Sequence, residues 1–380
     1  MMSLPAPASV LQLRSSAGLY GADRMVLALD DGLRRQGVRS RLLSIHNYLL
    51  GTQPLHAAAI AAGHDAVLLP CRGRIDRRTV AALVAQIDAC DADILHVHDY
   101  KSAFYAWLAT RRRRVRLVAT LHGWVEASQT LRLYNTLEIA LLRRFDALAI
   151  VSDAQMERLL RAGVPRDRIR QIDNGIAIAT TDESPSASLR AELGLGDGPV
   201  LGAVARLSAE KNLSLLVAAF AAIAAAHPAA RLLIVGDGPE RAALTNQVEQ
   251  LRLDGSVRFA GARGDMARIY PLIDCLVLPS LSEGMPLVVL EAMSRSIPVI
   301  ASAVGDVPRL LAKTRHGQLV PPGDASALRA AMLVALAQPQ RRDPGGAAFV
   351  RAHHSEAVMA TRYLDLYNDL LVNGHGRKTA

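Results

Sequence analysis

The stretch Arg231-Leu232-Leu233-Ile234-Val235-Gly236-Asp237-Gly238-Pro239 decides the fold. Four consecutive large aliphatic residues, with no polar alternation, read as a strand buried on both faces, which is the habit of a parallel sheet. The glycines and proline that follow are turn chemistry, and a helical stretch then runs to about Gln250. A strand, a tight turn and a helix make half of a βαβ unit, so the question becomes how often the unit recurs.

It recurs on both sides. Upstream lie a strand at Val200–Ala205 and a helix at Asn212–Ala226. Downstream lie strands at Val257–Ala260, Cys275–Pro279 and Pro298–Ala301. The first half repeats the pattern independently. Val10–Leu13 is a strand, a loop with Gly18 and Gly21 follows, and a helix runs from about Ala22 to Gln36, stopped by Gly37. Strands follow at Ser40–Ile45, Ala66–Leu69, Ile94–His98, Arg116–Leu121 and Ala147–Val151. The segment from Ala179 to Pro199 holds Thr-Thr-Asp-Glu-Ser-Pro-Ser and Gly-Asp-Gly-Pro, which reads as a linker. The expected organisation is therefore α/β: one doubly wound Rossmann-like domain over 1–178, a linker over 179–199, and a second such domain over 200–354. A terminal helix over 355–380, with apolar residues at helical spacing (Met359, Tyr363, Leu366, Tyr367, Leu370), is expected to pack back on the first domain.

Bulk properties agree. A length of 380 residues suits two domains. Hydrophobic residues at 51% supply two cores, and aromatics at 4% argue against a β-sandwich. Cys71, Cys90 and Cys275 stand far apart with no Cys-x-x-Cys pair, so neither a disulfide framework nor a zinc site is expected. Met1 to Ser9 lacks the pattern of a signal peptide. The longest apolar stretch, Leu213–Ala226, is stopped by His227-Pro228, short of the ~20 residues of a bilayer span. The expected location is cytoplasmic, with any membrane contact peripheral. A net charge of +9 favours anionic partners without choosing among them. No nucleic-acid module is recognisable, and aromatics for base stacking are few.

In doubly wound sheets, ligands bind at the carboxyl ends of the strands. Two clusters stand there. Glu283-Gly284-Met285-Pro286-Leu287-Val288-Val289-Leu290-Glu291 follows a strand, with Pro286 read as the first helical residue. The opening amides of that helix, Leu287 and Val288 among them, would favour a phosphate. Glu291 sits alone in an apolar run and needs donors, which either a ribose diol or a buried arginine would supply. Glu283 either reaches a ligand or caps the helix. In the second cluster, Ala205-Arg206-Leu207-Ser208-Ala209-Glu210-Lys211-Asn212, two cations five residues apart at a strand end can clamp a diphosphate and stabilise its departure. Alone, the same pair reads as solvated surface.

The chain resembles the family-4 glycosyltransferases of the GT-B fold, in which two Rossmann-like domains face each other across a cleft. The resemblance rests on Gly202-Ala203-Val204-Ala205-Arg206-Leu207 with Glu210-Lys211-Asn212, on Ile234-Val235-Gly236-Asp237-Gly238-Pro239, and on Glu283 and Glu291 followed by Ala292-Met293. In the first half it rests on Thr120-Leu121-His122-Gly123, Val151-Ser152-Asp153-Ala154 and Asn174-Gly175-Ile176. Each piece is common, but the set in this order is specific. The resemblance implies that Arg206 and Lys211 bind the donor pyrophosphate, Glu291 the ribose hydroxyls, and Glu283 hydroxyls of the transferred sugar. It places the Leu287 and Val288 amides on the phosphates, the base against backbone near Gly261-Ala262-Arg263, and His122 beside sugar and acceptor. Gly18 would approach the ligand by backbone, though the family often has two adjacent glycines where this chain has Ala17-Gly18. Retention of anomeric configuration, with neither metal nor other cofactor, is implied as well. The partners implied are a UDP- or GDP-sugar donor and a glycan or lipid-linked acceptor, in cell-surface polysaccharide synthesis. A nucleotide-sugar epimerase or hydrolase, and a non-catalytic nucleotide-sugar sensor, are the competing readings.

Other motifs read as structural. Asp91-Ala92-Asp93 precedes its strand and so lies at the amino end, as a turn. His96 and His98 have ligand spacing with Asp99 after them, but no third metal ligand is evident by spacing. In Gly236-Asp237-Gly238 the third glycine of a dinucleotide fingerprint would fall at Arg241, so the fingerprint fails. Arg111 to Arg114 with Arg116 form the densest basic run, either solvated surface or a patch that meets anionic lipid.

Overall fold

The alternation resolves into two wholly parallel sheets in a computed structural model of the chain. It describes residues 9–16, 18–73, 75–122, 138–178, 185–314, 317–337 and 342–374, with side chains as far as 372. The first sheet contains β1 (Ser9–Arg14), β2 (Arg39–Ile45), β3 (Ala66–Leu69), β4 (Ile94–Val97), β5 (Arg116–Leu121), β6 (Ala147–Ile150) and β7 (Ile169–Gln171), in the order β3-β2-β1-β4-β5-β6-β7. The second contains β8 (Val200–Val204), β9 (Arg231–Val235), β10 (Val257–Gly261), β11 (Cys275–Leu278), β12 (Val299–Ser302) and β13 (Gly317–Val320), in the order β10-β9-β8-β11-β12-β13. Both orders reverse beside the first strand, between β1 and β4 and between β8 and β11. Those are the switch points where crevices open at the carboxyl ends.

The chain divides into two compact units, Met1–Ala177 with His354–Ala380, and Ile178–His353. The terminal helix Glu356–Gly374 packs on the helix Gly21–Arg35 of the first unit. The approach is close: a Cβ on Gly32 would lie 2.7 Å from Ala360 Cβ and 2.8 Å from the Glu356 carbonyl oxygen. Arg35 pairs with Glu356 at the same crossing. Each core is largely aliphatic. Leu11, Leu95, Val97 and Leu148 are buried in the first unit, and Leu201, Ile234, Phe220 and Val277 in the second.

Several boundaries differ from the sequence reading. The segment 179–199 is more than linker, because a helix at Ala187–Glu192, capped by Ser186, anchors in the second unit through the buried Leu189 and Leu195. Its turn residues masked two apolar anchors. Pro286 is not the first helical residue but the cap, with ψ 120, and the helix spans Leu287–Ser294. β4 ends at Val97, so His98 lies just beyond the strand. Two edge strands, β7 and β13, had no reading at all. The Asp91-Ala92-Asp93 string is a turn at the amino end: Asp91 closes a helix in the left-handed conformation and the Asp93 carboxylate accepts from the Ser9 amide at 3.1 Å. The three cysteines are free.

Candidate functional site

In the second unit, four loops at the carboxyl ends of the strands are tied into one surface by backbone bonds. The Leu207 amide donates to the Asp237 carbonyl at 3.0 Å and the Glu240 amide to the Leu207 carbonyl at 2.9 Å, joining the loops after β8 and β9. The Leu281 amide donates to the Glu210 carbonyl at 2.8 Å, joining the loops after β8 and β11. The Asp306 amide donates to the Gly284 carbonyl at 2.9 Å, adding the loop after β12. Glycine is required twice. Gly236 has φ +134, and a Cβ there would lie 1.9 Å from the Ala205 carbonyl oxygen. Gly305 has φ +53, and its Cβ would lie 2.2 Å from the Glu283 carbonyl oxygen.

These ties bring the predicted residues together. Lys211 Nζ lies 2.7 Å from Glu283 Oε1, although 72 residues separate them. Ser280 Oγ donates to the same oxygen at 2.7 Å. The Glu283 side chain is only 7% exposed, so this carboxylate is held rather than solvated. An ammonium has three donors, and Glu283 uses one. Arg206 is exposed on the same loop, directly after β8. Burial alone would raise the Glu210 carboxyl. Hydrogen bonds from Ser208 and its own amide, with the charges of Lys211 and Arg206, bring it below its ordinary value instead. Asn212 holds φ +52 to start the next helix.

Glu291 answers the question its apolar setting posed. Its partner is neither an arginine side chain nor solvent alone, because the buried Tyr270 hydroxyl donates to Glu291 Oε2. The Arg295 guanidinium instead stacks on the Tyr270 ring at 4.8 Å and donates to the Glu291 carbonyl at 3.1 Å. Among the described residues, no hydrogen bond reaches the other carboxylate oxygen, Oε1, which is left for a further donor. The amides of Leu287 and Val288 open the helix and have no intrahelical acceptor. The Arg263 guanidinium is bound to Asp265 at 2.7 and 2.8 Å and to Glu192 at 3.2 Å. Any contact from this segment to a base would have to come from backbone around Gly261, which has φ +69.

In the first unit, Gly18 sits in a loop pinned at both ends. The Ser15 amide donates to Asp99 Oδ2 at 2.7 Å, Ser16 Oγ donates to the Gly18 carbonyl at 2.5 Å, and the Tyr20 amide donates to Asp23 Oδ2 at 2.9 Å. Ala17 and Gly123 lie outside the described residues. Arg14, at the end of β1, binds the buried Asp23 at 2.6 Å and donates to the His98 carbonyl at 2.6 Å. His122 follows β5, and its ring stacks on that of His98 with centroids 5.6 Å apart. His122 Nε2 is buried and has no hydrogen-bond partner among the described residues. Burial, then the positive charge of Arg14 and the neighbouring His96, hold the His122 imidazole neutral, well below its ordinary value. His96 and His98 are both bonded within the first unit. His96 bonds Tyr367 and Thr120, His98 bonds Gln12, and Asp99 caps the helix Tyr100–Thr110. No cluster of three His, Cys, Asp or Glu able to hold a metal occurs among the described residues.

The basic run lies before β5, at the amino end of the sheet, opposite the end that bears His122. Arg113 pairs with Asp88 at 2.7 Å and Arg111 stacks on Trp107 at 4.7 Å. Arg111, Arg112 and Arg114 are exposed. No helix among the described residues is long and apolar enough to cross a membrane.

Sequence signals marked Arg206, Lys211, Glu283, Glu291 and His122. They missed Ser280, Tyr270, Gln12 and Gly305. Ser280 was within reach, three residues before Glu283. Tyr270, 21 residues from Glu291, gave no local cue.

Comparisons with known proteins bear on the family and the fold. A family model described as "Glycosyltransferase Family 4" matches residues 20–180, and one described as "Glycosyl transferases group 1" matches residues 198–338. The chain is 29% identical over 240 residues to an N-acetyl-alpha-D-glucosaminyl L-malate synthase of Bacillus anthracis, an alignment that covers 62% of each chain. It is 27% identical over 371 residues to a phosphatidyl-myo-inositol mannosyltransferase of Mycobacterium leprae, covering 93% of this chain and 94% of that one. In the first of these, the match spans about six tenths of the relative's own length. Among solved structures, Anabaena HepE in complex with UDP and glucose superposes with a TM-score of 0.83 at 21% identity, covering 94% of this chain and 98% of that one.

Proposed function

The chain belongs to glycosyltransferase family 4, and from that premise we propose that it transfers a sugar from a nucleoside diphosphate donor to a glycan or lipid-linked acceptor, with retention of anomeric configuration and without a metal or other cofactor. The observation that carries this reading is the Lys211–Glu283 contact, which joins two motifs at the carboxyl ends of the adjacent strands β8 and β11. In this reading Glu283 spends one ammonium donor of Lys211 and holds the other two toward the donor diphosphate. Arg206 adds a second cation. As the bond between the sugar C1 and the β-phosphate oxygen breaks, charge accumulates on that phosphate, and the two cations stabilise it. The acceptor oxygen bonds C1 on the same face, and its proton passes to the departing phosphate. Oε1 of Glu291 accepts from the ribose, while the Leu287 and Val288 amides face the phosphates. His122, held neutral, offers Nε2 to a hydroxyl near the reacting carbon.

UDP or GDP is the nucleotide proposed, and UDP has the support that HepE binds it. Synthesis of a cell-surface polysaccharide in the cytoplasm is the setting proposed. There, the exposed Arg111, Arg112 and Arg114 make peripheral contact with anionic lipid, and cosedimentation with phosphatidylserine vesicles that survives Arg112→Glu with Arg114→Glu would remove that contact from the proposal.

The test is turnover of a panel of UDP- and GDP-hexoses in EDTA, with the product anomer read by proton NMR. Arg206→Ala and Lys211→Ala are expected to slow turnover ~10²–10³-fold, and Glu291→Ala to weaken donor binding. Near-normal kinetics in all three variants would sink the reading, and an inverted product would sink the retaining part alone. Loss of activity in EDTA, restored by magnesium, would sink metal independence.

A further inference from the structure

One face of the first sheet carries a polar row where a doubly wound domain ordinarily has aliphatic side chains. Gln12 lies on β1, His96 on β4 and Thr120 on β5, with His98 and His122 at the ends of those last two strands. All but His122 are buried: Gln12 and His96 are 0% exposed. What covers the row is the terminal helix. Two of its residues that sequence spacing reads as core, Tyr363 and Tyr367, are fully buried, and both turn their hydroxyls onto the row.

The contacts form one chain. The Tyr367 hydroxyl and His96 Nδ1 are 2.7 Å apart, His96 Nε2 and Thr120 Oγ1 are 2.7 Å apart, and Thr120 Oγ1 and the Tyr363 hydroxyl are 2.7 Å apart. A neutral imidazole donates from one nitrogen and accepts at the other, so the His96 tautomer sets the direction of its two bonds, to Tyr367 and to Thr120. The rings continue the order toward the strand ends. His96 and His98 have centroids 4.1 Å apart, and His98 stacks on His122 with planes 28° apart. His98 is fixed a second time by Gln12 at 2.7 Å. Thr120, on β5, precedes His122 by two residues, with His122 just past the end of that strand.

We propose that Tyr363 and Tyr367 are positioning residues for His122: the hydroxyls of the terminal helix lock Thr120 and His96, and through them hold the His98 and His122 rings in place at the ends of β4 and β5. A fully apolar helix face would seal the sheet without them, and each buried hydroxyl left without a partner would cost stability. The arrangement therefore makes the last 19-residue helix of the chain part of the site's scaffold. The inference rests on the proposed transferase reading only for what His122 does, not for how it is held.

The test uses Tyr363→Phe, Tyr367→Phe and the pair Thr120→Ser and Thr120→Val in the full-length chain. The Phe variants keep the ring and remove one oxygen. Three measurements accompany each variant: UDP and GDP affinity by calorimetry, kcat and KM with the nucleotide sugar that the wild-type protein turns over, and the imidazole 15N shifts of His96 and His122. Nucleotide affinity is expected within twofold of wild type, since that site belongs to the other unit. The kcat is expected to fall about tenfold in both Phe variants and in Thr120→Val. Thr120→Ser, which keeps the hydroxyl, restores most of the rate. The His122 shifts move in the Phe variants. Lowered thermal stability with unchanged kcat and unchanged His122 shifts overturns the proposal, leaving the hydroxyls a packing role. If the wild-type protein turns over no nucleotide sugar, the functional reading fails, and the His122 shifts alone then decide the positioning role.

Discussion

At the residue scale, the neutral histidines make a prediction of their own. Burial pushes the His96 imidazole down to about 3 from an ordinary 6.5, and burial with neighbouring charge pushes His98 and His122 down as well. The unfolded chain binds protons at these sites below about pH 6.5, and the folded chain refuses them. The stability these imidazoles contribute is therefore fully present above about pH 6.5 and is lost as pH falls below it, for His96 down toward about 3. Urea midpoints measured at pH 7, 6 and 5 should fall, and His96→Asn should flatten the dependence. A pH-independent midpoint in the wild-type protein would show that these imidazoles titrate normally. The same residues mark the limit of local reading. His122 and Lys211 stood out because motif spacing isolates them. The partners that fix their neighbours, Tyr367 for His96 at 271 residues and Glu283 for Lys211 at 72, are set by topology, and no spacing rule reaches that far.

At the scale of the element, the glycine turns after β9 and β12 let four loops converge. Gly236→Ala combines a disfavoured φ with a contact that no backbone carbonyl can yield to. It is expected to destabilise the second unit by about 2–3 kcal/mol, a fall in Tm of roughly 5–10 °C. Gly255→Ala, where an added Cβ meets nothing within 4 Å, serves as the control and should stay within ~0.5 kcal/mol. Equal melting of the two variants would mean that the loop after β8 gives way. Most strands were legible to within a residue because an aliphatic stretch, such as Leu-Leu-Ile-Val in β9 or Ala-Val-Leu-Leu in β3, marks them. β7, Ile-Arg-Gln, and β13, which begins at Gly317 and leaves Leu319 44% exposed, were not. Both lie at a sheet edge, where a strand has one neighbour and can do without the apolar signature of the interior.

On the scale of the whole molecule, the terminal helix shows why the two units are not two consecutive pieces of chain. The chain leaves the first unit near Ala177 and returns to it at His354. The Ile176 amide donates to the His354 carbonyl at 2.8 Å and the Glu356 amide to the Ile176 carbonyl at 2.9 Å, so exit and return are stitched together. Ending the chain at His353 would uncover Gly32, Thr120 and His96 and strip Met359, Tyr363, Leu366 and Tyr367 from the core. Such a truncation is expected to lose the cooperative unfolding of the first unit while the second still melts and still binds nucleotide. A truncated protein with an intact first transition would show that the helix is an accessory.

The central claim is that the second unit holds a nucleoside diphosphate through Arg206, Lys211 and Glu291. The most direct measurement is calorimetric titration of the full-length protein with UDP and GDP, in EDTA, beside Lys211→Ala and Glu291→Ala. Protection from thermal unfolding is read in parallel, where a ligand at 100 times its Kd adds ~2.7 kcal/mol. The account predicts saturable binding of one nucleotide without metal, weakened at least tenfold in each variant. Binding that is absent for both nucleotides, or that is indifferent to both substitutions, would contradict it.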